Sequence, residues 1–207
     1  MDIPLGLTEL AAVAAALGFA SGLRLYAVVF FTGAAGYLGY VDLPAGLQLL
    51  QNPLVIGAAC LLAVVEFFAD KLPVLDSLWD GFHTLIRIPA GAALAAGVFG
   101  GDTQAWSLIA ALAGGTLAAT AHAAKASTRA AANTSPEPFT NLGLSLAGDL
   151  AVPGLLWLAW THPMIFWPVL AVLVVCALVL LVVLFKFLRA LLRRFMPRRE
   201  TKVLPHV

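Results

Sequence analysis

MIFWPVLAVLVVCALVLLVVL, residues 164–184, decides the fold. It carries no charge, and its apolar residues run on continuously rather than alternating with polar ones. Its length matches the roughly 20 apolar residues that a helix needs to cross a bilayer. In lipid the backbone has no water to bond, so only helices and closed barrels satisfy their own N–H and C=O groups. A barrel strand would alternate apolar and polar positions with a period of two. This run does not, so it is a helix, and Pro163 suits its first turn.

C-terminal to that helix the charge changes abruptly. Seven of the twelve Lys and Arg lie in one tail: Lys186, Arg189, Arg193, Arg194, Arg198, Arg199 and Lys202. An excess of Lys and Arg beside a span marks its cytoplasmic end, so the C-terminus is expected in the cytoplasm. Anionic lipid headgroups are the partners such a tail would meet. Nucleic acid is not, because the tail has no aromatic interleaving and no recognition module. The sequence therefore divides into one transmembrane helical domain, 1–185, and a basic cytoplasmic tail, 186–207.

N-terminal to it, the rest of the chain has the same character. The protein is 61% hydrophobic and 11% charged, where a soluble domain carries about 25% charged residues. Its mean hydropathy is +0.95. No stretch is left for a soluble domain. Cys60 and Cys176 both lie in apolar runs and suggest neither a disulfide framework nor a zinc site. The N-terminus lacks the basic start of a signal peptide, so no cleaved segment is expected.

The first apolar region, Leu5 to Tyr40, is too long for one simple span and is interrupted at Ala20-Ser21-Gly22-Leu23-Arg24. It reads either as one long tilted helix or as a hairpin of two short, re-entrant segments. A loop over Val41–Asn52 leads to a helix from Pro53 to about Lys71. A short polar segment, Val74–His83, precedes an apolar stretch over Thr84–Phe99. The next helix covers Ala105 to about Ala121, and a polar, small-residue segment runs from His122 to Asn141. Leu142–Trp160 is apolar again, with breaks expected at Gly148-Asp149 and Pro153. The expectation is an all-α polytopic membrane bundle of six or seven segments, two of them irregular.

Small residues recur at helical spacing: Gly18 and Gly22, then Gly33, Gly36 and Gly39, then Gly114 and Gly115. In lipid such stripes let helices approach closely, within the chain or across a homo-oligomer. A weak internal repeat is also visible. Small residues before Arg24 resemble those before Arg129, and each is followed later by an apolar run ending in an acid and a proline, at Asp70 and at Asp149. Paired broken segments of this kind would mark a transporter-like site at the interface of two inverted halves.

A charge at the bilayer centre costs at least ~2.5–3.5 kcal/mol, so intramembrane charges are paired or placed around water. The basic residues outside the tail are Arg24, Lys71, Arg87, Lys125 and Arg129, and the acids among the inner segments are Glu66, Asp70, Asp76, Asp80, Glu137 and Asp149. With His83 and Asn141 they form the candidate binding site. Glu66 and Asp70 share one helical face; Asp76, Asp80 and His83 share another. Carboxylates so spaced repel unless a cation or proton lies between them, which makes Glu66, Asp70, Asp76 and Asp80 the candidates for a metal ion. The acids would equally pair with Lys71 and Arg87. His83 and His122 are possible proton relays, Trp79 a possible stacking platform, and Pro136-Glu137-Pro138 an extended segment facing either the site or the outside. No motif identifies a cofactor.

Two of these segments resemble a known family. Glu66-Phe67-Phe68-Ala69-Asp70-Lys71-Leu72-Pro73 with Asp76, Trp79, Asp80, His83-Thr84, Arg87 and Ala90-Gly91 is similar to the family called domain of unknown function 4126. So is Ser135-Pro136-Glu137-Pro138-Phe139-Thr140-Asn141 followed by Ser145 and Asp149. The resemblance covers roughly residues 10 to 160. It implies a small bacterial membrane protein, expected in the inner membrane, and confers no activity. The family often has a second acid before the position of Asp149; here that position is Gly148.

The function expected from these residues is a small transporter or channel moving an ion or small charged solute through a polar intramembrane site. Arg24, Arg87 and Arg129 would also suit a lipid phosphate, so a lipid-moving protein remains open. So does a Mg-dependent enzyme acting on lipid phosphates, although no serine or cysteine nucleophile stands beside an obvious base. A non-catalytic membrane scaffold is the remaining class.

Overall fold

A computed structural model describes residues 6–100, 104–132 and 138–195, with the backbone alone at 73–78, 130, 138–141, 188 and 190–195. Among the described residues every regular element is a helix. They are α1 (Leu7–Tyr37), a 3-10 helix (Ala45–Gln51), α2 (Pro53–Ala69), α3 (Pro73–Gly97), α4 (Gln104–Ala132), α5 (Pro138–Thr161) and α6 (Pro163–Phe195). Prolines open α2, α3, α5 and α6, where their missing N–H costs nothing.

By length and composition α1, α4, α5 and α6 are able to cross a bilayer. The 3-10 helix and α2, bent by 71° across Asn52, would make a fifth if the pair is one span. The chain is therefore all-helical and membrane-like, with fewer plain spans than the six or seven expected. α3 has the length but is not among these candidates; its Asp80, His83 and Arg87 are buried while Phe82 and Leu85 are exposed.

α1 is not a straight rod. Arg24 has φ −150° and ψ 91°, outside the helical region, so the helix is broken there. Neighbours on the two sides show where the arms go. Before the break, Gly18 and Ser21 lie beside Gly91 of α3. After it, Leu25, Tyr26 and Val29 share a wall with Ala90, Ala93 and Leu94 of the same helix, and Gly33 and Gly36 lie against Leu50 and Leu43. The chain doubles back at Arg24, as the hairpin reading expects. Gly39 then turns it, with φ +74°, a conformation natural only to glycine.

The arm over 7–23 is the middle of the molecule. Ala12, Val13, Ala16, Leu17 and Ala20 are buried to 0–1% exposure. Gly18 meets the backbone of Gly114, and a Cβ at Gly22 would run into the carbonyl of Ala118. α1 and α4 thus touch backbone to backbone, and these small residues are spent on packing inside the chain.

Three boundaries differ from the sequence reading. The polar segment Val74–His83 and the apolar stretch after it are not separate; they are one helix, α3. The small-residue stretch after Ala121 stays helical to Ala132, because its Ala and Lys are good helix formers and its hydroxyls bond back along the helix, Thr128 Oγ1 to the Ala124 carbonyl at 2.7 Å. α5 passes unbroken through Gly148, Asp149 and Pro153, since neighbouring helices tolerate a proline at membrane depth. α6 also continues through Lys186 and Arg189 to Phe195.

Candidate functional site

Breaking a helix in lipid frees carbonyls that must find donors. At Arg24 they do. Lys125 of α4 donates to the Leu23 carbonyl at 3.1 Å. The C-terminus of α2 is met in the same way, Arg129 Nη1 donating to the Asp70 carbonyl at 2.9 Å. Both cations stand at helix C-termini, where the backbone dipole favours positive charge.

The same cations gather on one side chain. The Asp70 carboxylate, 1% exposed, takes Arg24 Nη2 at 2.8 Å, Arg129 Nη2 at 3.1 Å and Lys125 Nζ at 3.2 Å, all on Oδ2. Arg24 then reaches α5, placing Nε 2.8 Å from Asp149 Oδ1 and donating from Nη2 to Ser145 Oγ at 3.0 Å and to the Ser145 carbonyl at 3.2 Å. A Cβ at Gly148 would lie 3.6 Å from Arg24 Nε, an ordinary van der Waals contact, so this approach does not depend on glycine there. Lys71 Nζ completes the edge, 3.8 Å from Asp149 Oδ2.

A second cluster adjoins the first through Lys125, which is 3.4 Å from Asp80 Oδ1. Its centre is Arg87, with no exposed surface, paired to Glu66 of α2 and to Asp80 at 2.7 Å. Arg87 Nη1 also lies 3.2 Å from His122 Nδ1. A guanidinium only donates, so Nδ1 is the acceptor and the His122 proton sits on Nε2, directed at Thr84 Oγ1 2.7 Å away. His83 takes the opposite form. Its Nδ1 faces the Trp79 carbonyl at 2.8 Å and must donate to it, leaving Nε2 to accept from the Tyr26 hydroxyl at 3.0 Å. Trp79 stacks on the His83 ring at 4.1 Å between centroids.

Beside the first cluster lies a cavity of about 230 Å³ between the α1 break, α4 and α5. Arg24, Lys125, Thr128 and Arg129 form its polar wall, with Leu23, Leu144 and Ala151 among its apolar residues.

The structure thus brings together Arg24, Glu66, Asp70, Lys71, Asp80, Arg87, Lys125, Arg129 and Asp149, nine of the candidate residues. His83 stands apart on Tyr26 and Trp79. Asp76, Glu137 and Asn141 lie outside the residues whose side chains are described. Of the four residues offered for a metal ion, Glu66, Asp70 and Asp80 are each turned to a guanidinium or ammonium, and Asp76 lies outside the residues whose side chains are described. Among the described residues no group of three or more His, Cys, Asp or Glu side chains is placed to hold a metal ion. The two segments read as a repeat differ locally, since Arg24 breaks its helix whereas Arg129 lies within α4, and Asp70 ends α2 whereas Asp149 is inside α5.

Sequence reasoning left Tyr26, Thr84 and Ser145 out of the binding set. Ser145 had a signal, one helical turn before Asp149 on the same face. Tyr26, two residues past a broken arginine, had a weaker one. Thr84 had only its place in the family-like motif, because its link to His122 depends on how α3 packs on α4.

The family profile described as Domain of unknown function (DUF4126) matches residues 11–183. The chain belongs to this family. The match spans both charged clusters, from the buried start of α1 to the apolar part of α6, so the DUF4126 region contains the whole site. No curated protein and no solved structure matches the chain.

Proposed function

We propose that this DUF4126 protein is a small membrane transporter or channel that carries an ion or small charged solute through the site at the α1 break. The observation that carries the reading is Asp70: one buried carboxylate shared by three cations from α1 and α4, beside a cavity. Ionisable groups at membrane depth are expensive and mark solute or proton pathways. A broken, re-entrant helix in the bundle centre is a usual place for a solute site. Entry of a charged solute would exchange one of these pairs for a solute contact, and Asp70, common to all three, is where the exchange is felt.

The basic end of α6 points to a cytoplasmic C-terminus by the positive-inside rule, in a bacterial inner membrane. α2 ends and α3 and α5 begin at the same end of the bundle, so the site then lies toward the cytoplasmic half.

The test is reconstitution in liposomes and recording of charge movement on a solid-supported membrane under steps of pH, monovalent and divalent cations, and small anions. Wild type is expected to give a current under one gradient, and Asp70→Asn, verified as a monodisperse folded protein, to lose it. A current of unchanged size in Asp70→Asn, or none under any gradient, sinks ion transport through this site.

A further inference from the structure

We propose that the cavity beside the α1 break binds a phosphoryl oxyanion, either free phosphate or the phosphate of a lipid headgroup. This names the substrate class of the transport site and rests on that reading. The first ground is the sign of the wall. Arg24, Lys125 and Arg129 line the cavity, and none of its described lining residues is a carboxylate. Glu66, Asp70 and Asp80 stand behind these cations, already engaged by guanidinium and ammonium groups. Among the described lining residues a cation would find no acid to receive it, while an anion would meet a positive wall.

The second ground is the donor left over. Arg24 is 3% exposed. Its Nη2 serves Asp70 and Ser145 and its Nε faces Asp149, while no described residue engages Nη1. A planar fork with a donor to spare suits the tetrahedral, multi-oxygen phosphate group, which guanidinium binds bidentately. The volume of about 230 Å³ far exceeds the ~10–15 Å³ that one water requires. The third ground is the opposite wall. Leu144, Ala147 and Ala151 of α5 make it apolar. A headgroup phosphate on the cations would leave its hydrocarbon along this flank.

The full chain in a phosphate-free neutral detergent is titrated with inorganic phosphate, with dihexanoyl phosphatidic acid, and with dihexanoylglycerol as the same tail without phosphate. Thermal unfolding is the readout, since a ligand bound to the folded state raises Tm saturably. A saturable rise with inorganic phosphate assigns a free anion; a rise with phosphatidic acid alone assigns a lipid headgroup; both support the site. Ala151→Leu, which fills the apolar wall without touching a charge, and Arg24→Lys, which keeps the charge and loses the fork, are each expected to weaken binding about tenfold or more. Phosphate also stabilises proteins by exclusion from their surface, but that effect would persist in both variants. An equal rise with dihexanoylglycerol, or affinity unchanged in both variants, overturns the proposal. Cation-driven currents that persist in Ala151→Leu, without phosphate-dependent stabilisation, remove the phosphoryl site and leave transport. Saturable binding without flux removes transport and leaves the site.

Discussion

α1 and α6 are the two apolar extremes of this molecule, and they do opposite things. α6 has the higher mean hydropathy, 3.3 against 1.7, yet only 11% of its apolar window is buried inside the protein, where α1 buries 67%. The more hydrophobic helix is on the outside. In lipid the tails are as apolar as leucine, so hydrophobicity does not draw helices together; close packing and polar contacts do. α1 is central because it is made of Ala and Gly, which let α4 approach its backbone, and because its break holds an arginine. α6 is peripheral because its Val and Leu side chains are as well solvated by lipid as by protein.

The comparison breaks first, and hardest, at the charges packed around α1. Arg87→Leu leaves Glu66 and Asp80 buried without their guanidinium. Removing one partner of a buried pair costs about 3–5 kcal/mol, so the variant is expected to unfold far below wild type in detergent, or to accumulate poorly. Arg87→Lys keeps the charge and should lose less. A wild-type melting temperature for Arg87→Leu would mean that the cluster is hydrated and not a packed interior.

The next effect tests the backbone contact directly. Gly22→Leu places a side chain against the Ala118 carbonyl and the Ala121 side chain. Backbone does not give way as a flexible side-chain end would, so a cost of about 1–3 kcal/mol or more is expected, measured as the shift of thermal unfolding in detergent. Gly57 on α2 has open space around it, and the same substitution there should be tolerated. Equal effects at the two glycines would show that α1 and α4 are not in backbone contact.

Ser145→Ala is smaller. It removes the hydroxyl that accepts from Arg24, a bond to a charged group worth about 1.5–3 kcal/mol at most. The Ser145 carbonyl and Asp149 remain on the same guanidinium, so the loss should fall near the lower bound. The current or binding signal, which depends on how Arg24 is aimed, should change by more than stability does. The reverse order would make Ser145 a packing residue.

These residues also show what was legible in the sequence and what was not. The helical class follows from the uncharged run of α6, and the break in α1 from small residues ending in Arg24. The nine charged residues that gather were legible as charges worth pairing, because charge in lipid is so costly that its positions announce themselves. The pairing was not. Glu66 and Asp70 share a helix face one turn apart, yet one goes to Arg87 and the other to Arg24, Lys125 and Arg129. That division depends on where α3 and α4 cross α1, which no local pattern encodes. The continuity of α3 was not legible for the same reason: its polar first half and apolar second half read as two segments until the helices that cover them are in place.

The smallest effect sharpens the comparison most, because it sets α6 against itself. Ala177 is 6% exposed and Val179, two residues on, is 58% exposed. Ala177→Leu overpacks an inner position and should cost about 1–3 kcal/mol. Val179→Leu exchanges one lipid-solvated side chain for another, and its effect on thermal unfolding should stay within about 0.5 kcal/mol. Both changes add apolar bulk to the same helix, three carbons at Ala177 and one at Val179, and orientation decides whether that bulk meets protein or lipid. A cost above 1 kcal/mol at Val179 would mean that something other than lipid covers that face. A second copy of the chain is the natural cover, and the penalty should then fall with dilution into detergent, because a dimer's stability depends on its concentration and a lipid-facing side chain's does not.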